Sequence, residues 1–397
     1  MTSAPYREGE GTGAPASVRD LAAHLATTVT RPWTLMEVCG GQTHAIVRWG
    51  LDQLLPQGVR LIHGPGCPVC VTPARTIDAA LELARRPEVI LCSYGDMLRV
   101  PGSRRGVDGD AGGGDDLLGV RAAGGDVRLL TSPLQALELA RRQPQRQVVF
   151  LAVGFETTAP ATALLARQAL LAGVGNLTLL VAHVRVPPAM EAILAAEGNE
   201  VEGFLAAGHV AAVMGTAELE KLAARHRVPV VVTGFEPPDL MRGLAACLDL
   251  LEQGRPQVVN AYGRVVREGG NPAARALLAE VFEVVDRPWR GFGMIPGGGL
   301  ELRGPYRELD ALRRFGLRAP SVSVGSAMKA ADDEAGVCIA GEILQGRRTP
   351  ADCPAFGGAC TPEHPLGAPM VSSEGACAAY HRYRPAAVAE GCSSCGG

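Results

Sequence analysis

A chain of 397 residues, 47% hydrophobic and 20% charged, is long enough for two or three globular domains. Aromatic residues make up 4% and the net charge is −3, which argues against a nucleic-acid-binding surface of stacking rings and basic side chains. No apolar run reaches the roughly 20 residues that span a membrane, and residues 1–20 lack the apolar core of a secretory signal. We therefore expect a cytoplasmic protein, in which eleven cysteines indicate metal or redox chemistry rather than structural disulfides.

The central part of the chain alternates between short apolar, β-branched runs and Ala/Leu-rich segments with helical periodicity. This alternation predicts βαβ units around a parallel sheet, and strands that are apolar throughout fit a sheet covered on both faces. After about Asp286 the alternation gives way to Gly, Pro and Cys, which indicates a smaller irregular domain. The predicted strands are Val59–His63, Val89–Cys92, Val127–Leu130, Val148–Val153, Leu177–Ala182, Val210–Met214 and Val228–Thr233, and the predicted helices are Thr76–Arg86, Pro133–Arg142, Ala159–Ala172, Ala217–Arg225 and Pro238–Gln253.

Two apolar strands of this region end in the same three residues. VVFLAVGFE at Val148–Glu156 and VVVTGFE at Val230–Glu236 each run into Gly-Phe-Glu and then into a proline-containing helix start. Duplication into two related α/β halves and chance are equally good explanations of so short a match. Because ligands of open parallel sheets bind beyond the carboxyl ends of the strands, both turns are expected to face such a crevice.

The first cysteine motif is Cys39-Gly-Gly-Gln-Thr-His44. Its two glycines let the backbone approach a ligand closely and can supply free N–H groups. A helix predicted to begin near Thr43 would lower the pKa of the Cys39 thiol and favour the thiolate, with His44 as a second ligand or an acid–base group. The alternative is a buried structural cysteine beside a tight turn.

The second motif is the pair Cys67 and Cys70, which follows a predicted strand and precedes a helix predicted at about Val71–Arg75. This position favours a thiol–disulfide couple whose first sulfur is activated by the end of the helix. The same pair could form half of a zinc site, which would need a second CxxC. The other CxxC in the sequence, Cys392–Cys395, lies at the extreme C-terminus.

Four thiolates in the irregular region would suit a [4Fe–4S] cluster, although a Cys₄ zinc site uses the same ligands. Cys92 and Cys247, in contrast, stand in apolar segments and are predicted to be core residues. The four late cysteines, separated by 14, 6 and 16 residues, are Cys338, Cys353, Cys360 and Cys377.

The joint order of these motifs is specific. Cys39-Gly-Gly-Gln-Thr-His44, Gly64-Pro-Gly-Cys67-Pro-Val-Cys70, Gly154-Phe-Glu-Thr-Thr-Ala-Pro160 and the four late cysteines resemble the HypD family, which takes part in making the Fe(CN)₂CO moiety of [NiFe]-hydrogenases. The resemblance extends over about residues 33–383. Two features lie outside the family pattern: a Gly/Asp-rich segment predicted to be a loop, Pro101–Asp116, and the Cys392–Cys395 tail.

The resemblance implies an α/β fold with two Rossmann-like parallel-sheet domains plus a smaller irregular Cys-rich [4Fe–4S] domain. We expect domain I at 40–145, with the CGGQTH and CPVC motifs near its start, domain II at 146–285, and the iron–sulfur domain at 1–39 together with 286–397. The implied partners are a HypC-type chaperone and a HypE-type cyanide donor. The implied metal ligands are Cys39, for a transient Fe(II) carrying CN and CO, and Cys338, Cys353, Cys360 and Cys377, for the cluster.

His44, His63 and Glu156 are candidate proton donors or supports for a metal-bound ligand. Structural roles remain open for them, because His63 could simply end a strand and Glu156 could cap the following helix. His183 also ends a predicted strand and is more readily explained as a hydrogen-bonded core histidine. The predicted catalytic residues are Cys39, His44, Cys67, Cys70 and Glu156.

The predicted function is a redox-active assembly scaffold rather than a conventional turnover enzyme. We expect the cluster to supply electrons one at a time and Cys67 and Cys70 to store two as a dithiol. The main alternative is a free-standing iron–sulfur-dependent disulfide reductase, which leaves the Cys39 motif without a role. A zinc-stabilised α/β binding module with structural cysteines is a third hypothesis.

Overall fold

The computed structural model describes residues 17–103, 116–317 and 337–384. Residues 104–115 of the predicted loop and the Cys392–Cys395 pair lie outside these ranges. The strands of the described residues are β1 (Trp33–Glu37), β2 (Val59–His63), β3 (Val89–Ser93), β4 (Asp126–Leu129), β5 (Gln147–Gly154), β6 (Leu177–His183), β7 (Gly203–Ala207), β8 (Val230–Thr233), β9 (Val258–Asn260), β10 (Phe282–Trp289) and β11 (Gly293–Leu302).

The helix ends follow local chemistry. The Ser17 hydroxyl accepts the Asp20 N–H while the Asp20 carboxylate accepts the Ser17 N–H, and this capping box begins the first helix. Gly50, with φ 62°, ends the second helix in the left-handed conformation that glycine adopts without strain. The helices are α1 (Val18–Thr28), α2 (Gly40–Trp49), α3 (Pro68–Val71), α4 (Ala74–Ala84), α5 (Leu117–Ala122), α6 (Leu134–Arg142), α7 (Ala159–Leu171), α8 (Val186–Leu194), α9 (Gly208–Met214), α10 (Ala217–His226), α11 (Pro237–Glu252), α12 (Pro272–Val281), α13 (Ala311–Phe315), α14 (Ala340–Leu344), α15 (Ala368–Val371) and α16 (Ala376–Tyr383).

The first sheet, sheet A, has the strand order β2-β1-β7-β8-β9, and all of its neighbouring strands are parallel. Helices α1 and α11 cover one face, where Leu21 and Leu244 pack with Val231 of β8. Helices α9 and α10 cover the other face, where Leu222 packs with the β8 residue Val232. The apolar sequence of β8 follows from this burial on both sides.

The second sheet, sheet B, has the order β4-β3-β5-β6 and is also parallel. Helices α6 and α7 cover one face of β5, where Leu137 and Ala163 pack with Phe150. Helices α4 and α8 cover the other face, and the core cluster on that side also contains Phe204 of sheet A. The two sheets therefore share one hydrophobic core, and the prediction of an α/β protein with two parallel-sheet domains is confirmed.

The strands are divided between the sheets differently from the predicted division into 40–145 and 146–285. Sheet A takes β1 and β2 from the N-terminal part and β7, β8 and β9 from beyond residue 203, whereas sheet B uses β3 to β6. One α/β domain is thus inserted into the other. Periodicity locates strands along the chain but not their pairing, so the sequence could not show this insertion.

The predicted third domain, 1–39 with 286–397, is also divided differently. Helix α1 packs on α11, strand β1 lies in sheet A, and the antiparallel hairpin β10–β11 packs against β6 and α8. Of the described residues, only 337–384 form an irregular region of short helices. We call this region the cysteine-rich segment.

One predicted strand is wrong. Residues 210–214 belong to helix α9, and the strand is the preceding segment β7. Both are short apolar runs, and a buried helical turn cannot be distinguished from a buried strand by periodicity over so few residues. Strands β2, β3, β4, β5, β6 and β8 lie where they were predicted to within about three residues. None of the described helices is long and apolar enough to cross a membrane.

Candidate functional site

The candidate site lies at the carboxyl edge of sheet A. Cys39 follows β1, His63 ends β2, His209 follows β7 and Phe235 follows β8. Because these strands are parallel, residues far apart in sequence meet at this edge, the usual position of ligands in such sheets.

The Cys39 side chain is buried, with 3% of its surface exposed, at the N-terminus of α2. Its Sγ lies 3.8 Å from Nδ1 and 4.0 Å from Nε2 of His209. The His209 ring stacks at a tilt on Phe235, with 5.0 Å between the ring centroids. A thiol, an imidazole and an aromatic ring therefore share one half-buried corner of the sheet edge.

The pKa of the Cys39 thiol is raised well above its ordinary value. Burial is the largest cause, and the nearby carboxyl of Glu37 adds to it, while the backbone N–H groups of Gln42 and Gly41 act in the opposite direction. This is opposite to the predicted lowering, because desolvation of the sulfur outweighs the helix N-terminus. The isolated site therefore favours the neutral thiol.

His209 was not predicted from the sequence. Burial lowers its pKa to about 4, so its ring is neutral near pH 7 and one of its nitrogens can act as an acceptor or metal ligand. The available signal was its position two residues after the apolar run Phe204–Ala207. The predicted strand was Val210–Met214, so His209 preceded it instead of following the strand Gly203–Ala207.

The loops that carry Cys39 and the CxxC pair touch each other. The Gly40 N–H donates to the Gly66 carbonyl at 2.9 Å. A Cβ at Gly66 would lie 2.3 Å from the Cys39 amide nitrogen, so only glycine fits between the two loops without movement. Cys67, the next residue, forms a disulfide with Cys70 across a Cα–Cα distance of 5.2 Å.

The disulfide in turn contacts the cysteine-rich segment. The Cys70 Sγ lies 4.0 Å from the carbonyl oxygen of Ala368. The adjacent Gly367 lies against Cys338, since a Cβ at residue 367 would be 2.7 Å from the Cys338 Sγ. A continuous row of contacts thus leads from Cys39 through the disulfide to Cys338.

The four late cysteines converge within the cysteine-rich segment. Burial raises the pKa of Cys377, and the nearby thiols raise it further. Cys360 accepts a hydrogen bond at its Sγ from the Leu366 N–H, at 3.2 Å. Within residues 17–103, 116–317 and 337–384, no three His, Cys, Asp or Glu side chains are arranged to hold a metal ion. The thiols that act on Cys377 are Cys338, Cys360 and Cys353.

His44 faces the cysteine-rich segment. Its Nδ1 lies 3.2 Å from the Ser373 carbonyl and its Nε2 lies 3.1 Å from the Tyr383 hydroxyl. The Tyr383 ring also contacts it edge-on, with centroids 5.2 Å apart. Both ring nitrogens thus serve to join α2 to α16.

Glu156 is buried just beyond the carboxyl end of β5 and lines a cavity of about 60 Å³ together with apolar side chains of α8 and α9. Its carboxylate accepts the Val186 N–H at 3.1 Å, so it caps α8 rather than the helix that follows it in sequence. Burial raises its pKa to about 7, while the charge of Arg185 acts against this. The other Gly-Phe-Glu turn places Glu236 at the exposed start of α11.

His183 is a core residue. Its Nδ1 lies 3.1 Å from the Gly154 carbonyl and its Nε2 lies 3.0 Å from the Thr162 hydroxyl. Burial lowers its pKa to about 4. Cys92 and Cys247 are fully buried as predicted, and burial raises the pKa of each to about 12.

The chain is similar to known proteins over most of its length. The sequence model of HypD, described as the hydrogenase formation hypA family, matches residues 16–384. The chain belongs to the HypD family. The hydrogenase maturation factor HypD of Rhodobacter capsulatus is 45% identical over 382 residues, covering 95% of this chain and 96% of the relative.

Two further HypD relatives are similar over comparable lengths. The hydrogenase maturation factor HypD of Azotobacter vinelandii is 46% identical, covering 93% of this chain and 94% of its own. The hydrogenase maturation factor HypD of Escherichia coli K12 is 44% identical, covering 92% of this chain and 93% of its own. The HypD match therefore includes the Cys39 loop, the CxxC pair and the cysteine-rich segment.

Proposed function

We propose that this protein is a hydrogenase maturation factor, acting in the cytoplasm as a redox-active scaffold on which the Fe(CN)₂CO moiety of a [NiFe]-hydrogenase is assembled. The observation that carries the proposal is the row of contacts from Cys39 through the Cys67–Cys70 disulfide to Cys338. A row of this kind links a buried metal-binding thiol to a two-electron couple and then to a set of four thiols. Family membership supplies the hydrogenase context.

Cys39 is proposed to bind the iron ion that serves as cargo. Its Sγ faces His209 and Phe235 at a sheet edge, and a soft thiolate is a suitable ligand for Fe(II). Binding displaces the thiol proton, which the raised pKa otherwise retains. A HypC-type chaperone is the proposed source of a second ligand, and a HypE-type partner is the proposed donor of cyanide.

The residues of the cysteine-rich segment fit a [4Fe–4S] cluster. The thiols of Cys338, Cys353 and Cys360 lie close enough to raise the pKa of Cys377, Cys360 receives an N–H···S bond, and Gly367 leaves room beside the Cys338 sulfur. A cluster needs its four thiolates farther apart than the ligands of one ion, and hydrogen bonds to sulfur adjust its potential. Such a cluster supplies one-electron transfer when it is bound.

The disulfide is proposed as the two-electron store. Its reduction consumes two electrons and two protons and yields the thiols of Cys67 and Cys70. Cys67 accepts the Cys70 N–H at 3.2 Å at the start of α3, a position that stabilises a thiolate after reduction. The couple lies between Cys39 and Cys338, in contact with both regions.

The first experiment is metal analysis of anaerobically purified protein. We expect about four irons and four acid-labile sulfides per chain, with a brown chromophore that dithionite bleaches. Cys360→Ala should lose both iron and sulfide, whereas Cys247→Ala, which removes a core thiol, should retain them. Zinc without sulfide would contradict the redox scaffold.

A second experiment separates the scaffold from the alternative disulfide reductase. Cys39→Ser should abolish hydrogenase maturation in cells that lack their own HypD-type protein, while the cluster and disulfide remain. A free-standing reductase would keep its turnover without Cys39. Cys92→Ser is the matched control, since its buried thiol lies in sheet B away from the row.

A further inference from the structure

Glu37, the last residue of β1, is a fully buried carboxyl group, with 0% of its surface exposed. A buried charged or polar group is costly unless hydrogen bonds replace its water. The hydrogen-bond partners of the Glu37 carboxyl group must therefore compensate for its burial beside the candidate site.

Three donors surround the Glu37 carboxylate. The Cys39 N–H donates to Oε2 at 2.9 Å, and the Thr43 hydroxyl donates to Oε1. His63 Nδ1 lies 2.7 Å from the same Oε1. The Thr43 backbone N–H donates to the Cys39 carbonyl at 2.9 Å, so the amide and the carbonyl of Cys39 both bond to members of one small network.

The network continues into the cysteine-rich segment. With Nδ1 of His63 donating to Glu37, the other ring nitrogen, Nε2, accepts the Tyr380 hydroxyl at 3.3 Å. The two rings also meet edge-on, with centroids 5.5 Å apart. Tyr380 stands on α16, one turn after Cys377.

We infer that Glu37 is a positioning residue, which fixes the Cys39 loop and couples it to the cysteine-rich segment through His63 and Tyr380. The inference rests on the proposed function, in which Cys39 must present its sulfur to iron. A chain of hydrogen bonds through buried groups is sensitive to the loss of any member, because each remaining partner stays unsatisfied. Movement of α16 is thereby transmitted to the backbone of Cys39.

The test measures how fast Cys39 is alkylated in the full chain, without iron or partners, with peptide mapping to assign the label. Glu37→Gln should raise the rate about fivefold or more, the effect of losing about one hydrogen bond that keeps the loop closed. Tyr380→Phe should raise it by a smaller factor. In the double variant, Tyr380→Phe should add nothing further, since its connection to Cys39 is already broken.

Tyr383→Phe is the matched control, because Tyr383 stands on the same helix but contacts His44. It keeps the contact between Tyr380 and His63, so it should change the rate by less than Tyr380→Phe does. Three results would each overturn the coupling. The single variants could react at the rate of the unmodified protein, or the effects of Glu37→Gln and Tyr380→Phe could multiply in the double variant. The third is a Tyr383→Phe effect equal to that of Tyr380→Phe.

Should Glu37→Gln fail to fold, Thr43→Val and Thr43→Ser replace it. The valine removes the hydroxyl and should raise the alkylation rate, while the serine keeps it and should not; equal rates in both would refute the positioning role. Iron bound at Cys39 in the presence of a HypC-type partner is measured separately. If the alkylation rates are as predicted but no iron binds at Cys39, the proposed function is refuted and the positioning role of Glu37 stands.

Discussion

The backbone of Gly66 lies against the backbone of Cys39, so closely that a Cβ at residue 66 would be 2.3 Å from the Cys39 amide nitrogen and 2.4 Å from its Cα. Both neighbours are main-chain atoms, which cannot rotate away as the end of a side chain can. The spacing between the Cys39 loop and the disulfide loop is therefore set by the absence of a side chain at this position.

Gly66→Ala is accordingly expected to push the two loops apart. We expect a loss of about 1–3 kcal/mol of unfolding free energy, as for other overpacked sites, and a faster alkylation of Cys39. Thermal and urea unfolding measure the first effect. Gly175→Ala is the control, because a Cβ there meets nothing within 4 Å. Equal stability of both variants would show that the loops separate without cost.

The disulfide predicts a specific labelling pattern. Because Cys67 and Cys70 are buried in the folded chain, the protein is labelled in denaturant. When it is purified without reductant, the peptide containing both cysteines should take up no alkylating reagent, and after reduction it should take up two groups. Cys67→Ser should leave Cys70 open to the reagent before reduction. Uptake of two groups by the unmodified, unreduced protein would show that the pair is a dithiol under those conditions.

Glu156 makes stability fall as pH rises. Burial raises its pKa from about 4.5 to about 7, so the unfolded chain releases this proton at a lower pH than the folded chain does. The stabilising contribution is complete below pH 4.5 and is lost as pH rises through 7, by about 3 kcal/mol. Glu156→Gln should therefore gain stability relative to the unmodified protein between pH 5 and pH 8 in urea titrations. The same gain in Glu236→Gln, which changes an exposed carboxyl, would exclude Glu156 as its source.

His183 makes stability fall as pH decreases, the opposite of the effect of Glu156. Burial lowers its pKa from 6.5 to about 4, so the unfolded chain takes up a proton that the folded chain refuses. Its contribution is complete above pH 6.5 and is lost as pH falls towards 4, again by about 3 kcal/mol. His183→Gln should lose less stability than the unmodified protein between pH 7 and pH 4.5. If the unfolding free energies of the two proteins fall equally with decreasing pH, His183 is not the cause of the loss of stability at low pH.

The strands that the sequence revealed are those whose composition leaves little choice. The segment VVFLAVG of β5 is buried along almost its whole length, and its β-branched residues favour a strand over a helix. Strand β1, WTLME, was missed because a threonine and a glutamate interrupt its apolar residues. Glutamate is rarely buried in proteins, whereas Glu37 is fully buried and accepts hydrogen bonds.

The cysteines of the candidate site stood out in the sequence because clustered cysteines commonly serve metal or redox chemistry. His209 and Tyr380 did not, since a single histidine or tyrosine has many ordinary uses. Only the folded chain shows that His209 meets Cys39 and that Tyr380 meets His63. The two Gly-Phe-Glu turns were found correctly, but one ends a strand of each sheet and their glutamates have different surroundings.

The insertion of sheet B between β2 and β7 has a consequence for synthesis on the ribosome. Cys39 leaves the ribosome 170 residues before His209, the side chain that will lie beside its sulfur. At 5–20 residues per second this delay is on the order of ten to thirty seconds. During that interval sheet A lacks β7, β8 and β9, and the Cys39 thiol is accessible to any metal ion or oxidant in the cell.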